Sequence, residues 1–448
     1  MKTTSDHRSR KRPPSRAWRN ALMTEDRHGL RQLLSVTATG SLKVVSAALA
    51  FVGFIALARA VGPAENSKVG LIFSAGSLLG IAIQRGGHVT ILRFATSDFH
   101  LLKRSVMGWA LQRSLGLSLL LAPATLLVSL SWLGLSLLES VAVVVLAIAL
   151  ASSELVSSLL RSDGRIIASL APRDVVWRLF IIAVAIATFS ISLSVGLVML
   201  LLACGLLAIA LLQTGLNLGP PTRPLSPPER SSLSSHAGAA WLSSTAFAFS
   251  RLGDVVIVGG LDPAQAGAYF AANRIATLVA VGIVSLNTVL APRASRLYFE
   301  RKMALLQDEL RRCVAVVGAG TSVTVALAAV MSRRLLGLFA PEYRSLSAVL
   351  IVLLVAALVN AFGGPAGQLM QMVGMERQHA KLMVATQIGG FLLMLLGHRL
   401  FGLVGVASAV LVATSCWNFA CRHFLREEHG IDPSVLAVFR RSDAVAGS

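Results

Sequence analysis

The chain has 448 residues, of which 55% are apolar and only 14% charged, with a mean hydropathy of +0.71 and a formal net charge of +20. A soluble domain carries roughly 25% charged residues, so this composition asks for lipid rather than water as its main solvent. Apolar runs recur from about residue 36 to about residue 424, and no polar stretch between them is long enough to fold as a separate catalytic domain.

In chain order, residues 1–34 come first as a basic arm with an interfacial segment around Trp18 to Leu34, which anionic headgroups would attract. No small-residue cleavage site follows a short apolar core, so the arm does not read as a cleavable signal. Windows of about 20 apolar residues then place spans near 36–58, 69–92, 107–131, 138–160, 174–193 and 195–216. A second set follows near 237–260, 266–290, 312–332, 346–373, 379–400 and 402–423. The expected architecture is an all-α integral membrane fold of about 12 transmembrane helices in two six-helix lobes around a central cavity. The fifth and sixth spans, and the last two, are separated by so few residues that each pair reads as a tight hairpin.

Loops left in the cytoplasm carry the excess of Lys and Arg. With twelve spans, 29 such residues fall on the side of the arm and six on the other, which puts both termini in the cytoplasm. The same bias accounts for the net charge, so the basic residues mark topology and nucleic-acid binding is excluded as their purpose. The four cysteines, Cys204, Cys313, Cys416 and Cys421, contain no CxxC pair and read as small apolar residues rather than a disulfide or zinc site. No metal or cofactor is expected.

Between the sixth and seventh spans, residues 217–235 are rich in Pro and Ser and read as a cytoplasmic linker. It divides an N-terminal lobe, 35–216, from a C-terminal lobe, 236–424, with a cytoplasmic tail at 425–448. The halves echo each other: Gly62-Pro63-Ala64 leads to Gly70 and Phe73, and Asp262-Pro263-Ala264 leads to Gly267 and Phe270. Repeated halves around a midplane site are a transporter plan.

Charges kept inside apolar spans cost at least about 2.5–3.5 kcal/mol each near the bilayer centre, so they mark candidate functional positions. Arg85 in the second span, Arg251 and Asp254 in the seventh and Arg274 in the eighth are the candidates. Arg251 and Asp254 are three residues apart, on one helix face, and read either as a neutralising pair or as part of a site. Arg85 and Arg274 have no opposite charge at helical spacing, which points to an anionic ligand, and guanidinium grips phosphate oxygens in a bidentate fork. Asp254 and His88 are the candidates for proton coupling, although His88 also reads as an ordinary polar residue near the inner interface. Arg113 and Arg178 are expected to snorkel to the surface. Gly76 and Gly80 have the spacing of close helix contacts. No GxSxG, HExxH or P-loop occurs, so hydrolysis and ATP binding have no support.

Several segments resemble the Wzx-type oligosaccharide flippases, the polysaccharide biosynthesis proteins of the multidrug/oligosaccharidyl-lipid/polysaccharide exporter superfamily. They are Ala56-Leu-Ala-Arg59-Ala-Val-Gly62-Pro63, Arg251-Leu-Gly-Asp254, Gly267-Ala-Tyr269, Leu290-Ala-Pro292, Leu336-Gly-Leu-Phe339 with Tyr343, and Phe401-Gly-Leu-Val-Gly405. Their order along the chain is the specific part of the likeness. The resemblance implies a transporter, not an enzyme, in the bacterial inner membrane, moving an undecaprenyl-diphosphate-linked oligosaccharide between leaflets by alternating access. Such precursors feed O-antigen, exopolysaccharide or capsule. It also implies a polysaccharide polymerase and a chain-length regulator as partners, besides membrane lipid. Asn66-Ser67-Lys68 and Gly259-Gly260 depart from the family pattern. The competing expectations are a drug or cation antiporter of the same superfamily, which would favour acidic cavity residues, and a membrane glycan polymerase or ligase, which would need a larger outside loop.

Overall fold

The computed structural model of the chain describes residues 41–94, 102–217, 223–279, 294, 297–298 and 300–439. The first half runs α1 (Ser41–Val61), α2 (Pro63–Ile83), α3 (Gly87–Phe94), α4 (Lys103–Ser131), α5 (Leu137–Ser162), α6 (Ile166–Ala171), α7 (Trp177–Ser190) and α8 (Val195–Asn217). Helix α9 (Pro227–Leu261) leads into α10 (Ala266–Val279), α11 (Met303–Val330), α12 (Ser332–Gly337), α13 (Ser347–Gly363), α14 (Ala366–Met372), α15 (Glu376–His429) and α16 (Leu436–Phe439). The expected arm 1–34 and the end of the tail, 440–448, lie outside the described residues.

Among the described residues, nine helical stretches are long and apolar enough to cross a membrane. One of them, α15, is two spans. Gly402 has φ 58° and ψ −140°, a left-handed conformation that glycine adopts without a Cβ penalty. There the helix folds back, so that Gly397 meets Gly405 and Gly390 meets Ala413. A further span joins α6 to α7 through a π turn at Pro172–Val176, because Pro172 has no N–H for an ordinary helical bond. With α10 as the described part of the eighth span, the fold is a nearly all-helical bundle of about twelve membrane helices. Leu119, Leu120, Val316, Val330 and Phe401 are exposed on its outside, where lipid tails are as apolar as they are.

Three boundaries differ from the sequence expectation. The second span is broken rather than continuous: Arg85 (φ 48°) and Gly86 (φ 70°) separate α2 from α3. A Cβ on Gly86 would come 2.4 Å from the Ala237 carbonyl oxygen, so α9 passes against bare backbone. The tenth span is broken at Gly364 (φ 68°) and Pro365, between α13 and α14. The linker expected at 217–235 is shorter, because α9 already begins at Pro227. Proline is tolerated in a first helical turn, where its missing N–H has no partner to lose, and the Glu229 carboxylate accepts from the Ser226 N–H at 2.7 Å. The new turns pack on the first half: Leu225 and Leu233 join Ile91, Val106, Leu155 and Leu159 in one core. Farther along, Phe249 meets Phe391 of α15. Helix α9 therefore straddles the two halves.

The halves close on each other at the end that carries the Pro63 and Asp262 turns. Phe54, Leu57 and Leu71 from the first half share one core with Phe270, Phe339 and Leu350 from the second. A Cβ on Gly70 would sit 2.7 Å from the Phe270 ring, a close approach that only glycine permits.

Candidate functional site

Helix α10 brings the site together through its period of 3.6 residues. Phe270 and Arg274 are one turn apart, and both face the first half. The Arg274 guanidinium carbon lies 4.7 Å from the centre of the Phe270 ring, 4.9 Å from that of Phe73 and 5.3 Å from that of Phe54. Phe73 in turn stacks on Trp177. Arg274 is thus held by rings from both halves, an arrangement in which the negative ring faces attract the cation. Its Nε and Nη2 are buried and have no hydrogen-bond partner, and no acid forms an ion pair with it among the described residues. The charged groups within electrostatic reach are Arg251, Arg178 and Asp254.

Asp254 is committed elsewhere. Its Oδ1 accepts from the Val255 N–H at 2.9 Å, and its Oδ2 accepts from the Tyr269 hydroxyl at 3.0 Å and the Asn273 amide at 2.9 Å. Tyr269 and Asn273 immediately precede Phe270 and Arg274 on α10, one turn apart on the face turned to α9. The carboxylate therefore fixes the rotation of α10, which aims Phe270 and Arg274 at the first half. Asp254 does not pair with Arg251. The Arg251 guanidinium instead lies 5.8 Å from the Phe247 ring centre, so the neutralising pair that their spacing suggested does not form.

Of the five residues singled out from sequence, Arg251, Asp254 and Arg274 come together, while Arg85 and His88 lie apart from them. Phe73, which touches Arg274, precedes Arg85 by 12 residues, about 18 Å along a helix. Arg85 sits in the break after α2, half-buried, and its side chain makes no ion pair or hydrogen bond among the described residues. Arg113 lies within electrostatic reach of it. His88, in α3, has a buried Nδ1 without a hydrogen-bond partner among the described residues and lies within reach of Glu154 and Arg161.

Glu154 and Asp174 are acids that the sequence reading passed over, although a carboxylate inside an apolar run was signal enough. Glu154 accepts from Arg161 at 2.5 Å and from Arg173. Asp174, with 2% of its side chain exposed, accepts from Lys43 at 2.6 Å and also meets Arg173 and Arg178. These contacts make one chain of alternating charge that ties α1 and α5 to the π turn. Arg178, expected to snorkel outward, also donates to the Ser46 carbonyl of α1 and is held inside this half. Arg113 donates to Ser234 of α9 at 2.8 Å. No group of three or more candidate metal ligands occurs among the described residues.

No protein-family model matches the chain, and no curated protein matches it. Solved structures do. An inward-facing conformation of a multidrug resistance MATE family transporter of the MOP superfamily is similar with a TM-score of 0.67 at 15% identity, over 91% of this chain and 99% of that one. An outward-facing conformation of such a transporter matches with 0.60 at 16% identity, over 88% and 95%. A MOP superfamily transporter from Pyrococcus furiosus, described as having a binding pocket of reverse polarity, matches with 0.58 at 16% identity, over 91% and 96%. At such identities the likeness is one of architecture, and the chain has the fold of the MOP superfamily transporters.

Proposed function

We propose that this protein is an alternating-access membrane transporter whose cargo is anionic, and that the cargo is an undecaprenyl-diphosphate-linked oligosaccharide carried between the leaflets of a bacterial inner membrane. The observation that carries the reading is Arg274, a guanidinium between the two halves with buried Nε and Nη2 groups that no acceptor meets among the described residues. An unmet charged donor costs more than a neutral one, and phosphate oxygens are the acceptors a guanidinium fits best. Arg251 and Arg178 add positive charge around it. The neighbouring acid, Asp254, is saturated by three donors and has little left to offer a cation. The fit of 0.67 to an inward-facing relative against 0.60 to an outward-facing one agrees with a bundle closed at its Pro63 and Asp262 end.

The drug or cation antiporter is the second reading, favoured by the multidrug relatives that share the fold. Binding separates the two. Purified protein in nanodiscs is titrated with a short-chain polyprenyl diphosphate and with tetraphenylphosphonium. The expected result is saturable binding of the diphosphate alone, weakened about tenfold or more in Arg274→Ala, the worth of a lost charge-assisted contact. Binding of the organic cation without the diphosphate overturns the proposal in favour of the antiporter. In cells, Arg274→Ala is expected to abolish glycan export while the protein still reaches the membrane.

A further inference from the structure

Above the Arg274 box, toward the Pro63 and Asp262 turns, the halves are joined by buried hydrogen bonds rather than by apolar packing alone. Tyr343, on the short 3-10 turn Pro341–Leu346, donates its hydroxyl to the Pro63 carbonyl at 2.9 Å and accepts from the Asn66 amide at 3.1 Å. The same amide lies 3.4 Å from the Gly267 carbonyl. Ser67 accepts from the Gly267 N–H at 2.9 Å and donates to the Ala264 carbonyl at 3.5 Å. Arg59 adds a bond to the Leu338 carbonyl at 2.7 Å. Asn66 and Ser67 are 1% and 5% exposed, and Tyr343 is 6% exposed. A Cβ on Gly267 would stand 2.8 Å from both the Ser67 nitrogen and the Tyr343 hydroxyl oxygen, so α10 enters the knot on its bare backbone.

Every one of these bonds crosses from the first half to the second, and almost all use a backbone group on one side. A joint of this kind is shape-specific and reversible: each bond is individually modest, and water at the membrane surface can replace it when the halves part. We propose that the Tyr343–Asn66–Ser67–Gly267 knot is the releasable gate of this face, with Tyr343 as its keystone. The gate and Arg274 lie on the same helix, with Gly267 in the first turn of α10 and Arg274 two turns deeper. Parting the knot therefore also draws Arg274 and Phe270 away from Phe54 and Phe73. Closure and the caging of the cation are one event. This inference rests on the alternating-access reading but not on the identity of the cargo.

The test follows the distance across the gate. Cys204, Cys313, Cys416 and Cys421 are free thiols and are first replaced by serine. Spin labels are then placed on Ala64→Cys and Gln265→Cys, exposed positions on opposite halves of this face, in the full-length protein in nanodiscs. The parent is expected to give a dominant short distance, and Tyr343→Phe, which loses both the bond to Pro63 and the one from Asn66, to raise the long-distance population about fivefold or more. Asn66→Ala is expected to do the same. Ser345→Ala, which loses only a bond to Glu342 within the same turn, leaves the distribution as in the parent. An unchanged distribution in well-folded Tyr343→Phe and Asn66→Ala overturns the gate, whatever the cargo. A shifted distribution with no diphosphate binding sustains the gate and sinks the cargo reading.

Discussion

In the first half, Glu154 and Asp174 are each met by two or more cations; in the second, Asp254 is met by neutral donors and Arg274 by aromatic rings. Both halves keep charge away from water, at a cost that must be offset locally. The first half offsets it within itself, and the product is scaffolding: α1, α5 and the π turn are tied by a closed chain of ion pairs. The second half leaves the Arg274 guanidinium without an acceptor among the described residues, and the product is a place for a ligand. An intramembrane charge thus announces function by what fails to meet it.

The largest effect should come from breaking the closed chain. Glu154→Gln removes the carboxylate shared by Arg161 and Arg173, leaving Arg161 without its acid and Arg173 with Asp174 alone, which costs about 3 kcal/mol. Thermal unfolding of the purified protein in detergent should show this as a large fall in midpoint. Arg274→Met should do the opposite to stability, because it removes a buried charge with no acceptor and keeps an apolar chain among three rings. Its midpoint should equal or exceed that of the parent while diphosphate binding is lost. If Arg274→Met destabilises as much as Glu154→Gln, the two halves do not differ in the way their contacts suggest.

Much of this contrast was legible in the sequence, and the illegible part has a common cause. The helix count and the candidates Arg251, Asp254 and Arg274 follow from lone charges in long apolar runs. Glu154 and Asp174 were equally visible, yet Arg161 and Arg173 beside them made both look like the ends of cytoplasmic loops. The aromatic box was hidden, because Phe54, Phe73 and Phe270 come from three helices in two halves and nothing local relates them. The break at Arg85 carries only Gly86-Gly87 as a signal, and its cause is the passage of α9 over bare backbone. Pro227 read as a helix breaker because the same residue that ends a helix also suits its first turn.

A smaller effect is expected from Asp254→Asn. The amide oxygen can still accept from the Tyr269 hydroxyl and the Asn273 amide, but the NH2 then faces the Val255 N–H that Oδ1 had satisfied. A buried donor left unmet costs about 1–3 kcal/mol, so the unfolding midpoint should fall less than in Glu154→Gln. Because Asp254 sets the rotation of α10, diphosphate binding should weaken along with stability. Weakened binding at full stability would instead mean that Asp254 touches the cargo itself.

The smallest effect tests whether the second half can also build a closed ion pair where no ligand is to be held. Arg422 grips Asp432 through both its Nε and Nη2, at 2.9 and 2.7 Å, and Ser434 adds a further bond to the same carboxylate. This clasp holds the chain before α16 against α13, where the Val435 N–H donates to the Phe362 carbonyl at 2.9 Å beside the Gly364 break. Burial acts to raise the Asp432 carboxyl, but the bonds from Arg422 and Ser434 outweigh it and hold the group below the ordinary carboxylate range. A depressed folded value means that the clasp stabilises fully above the ordinary pKa of about 3.9. The stabilisation is lost as pH falls from there through the lower folded value. Asp432→Asn should therefore cost about 1 kcal/mol at pH 7, the modest worth of a half-buried pair, and the gap in unfolding midpoint between variant and parent should close as the pH drops below about 4. A gap that persists at low pH would assign the clasp's worth to shape rather than charge, and would set it apart from the ion pairs of Glu154 and Asp174 in the first half.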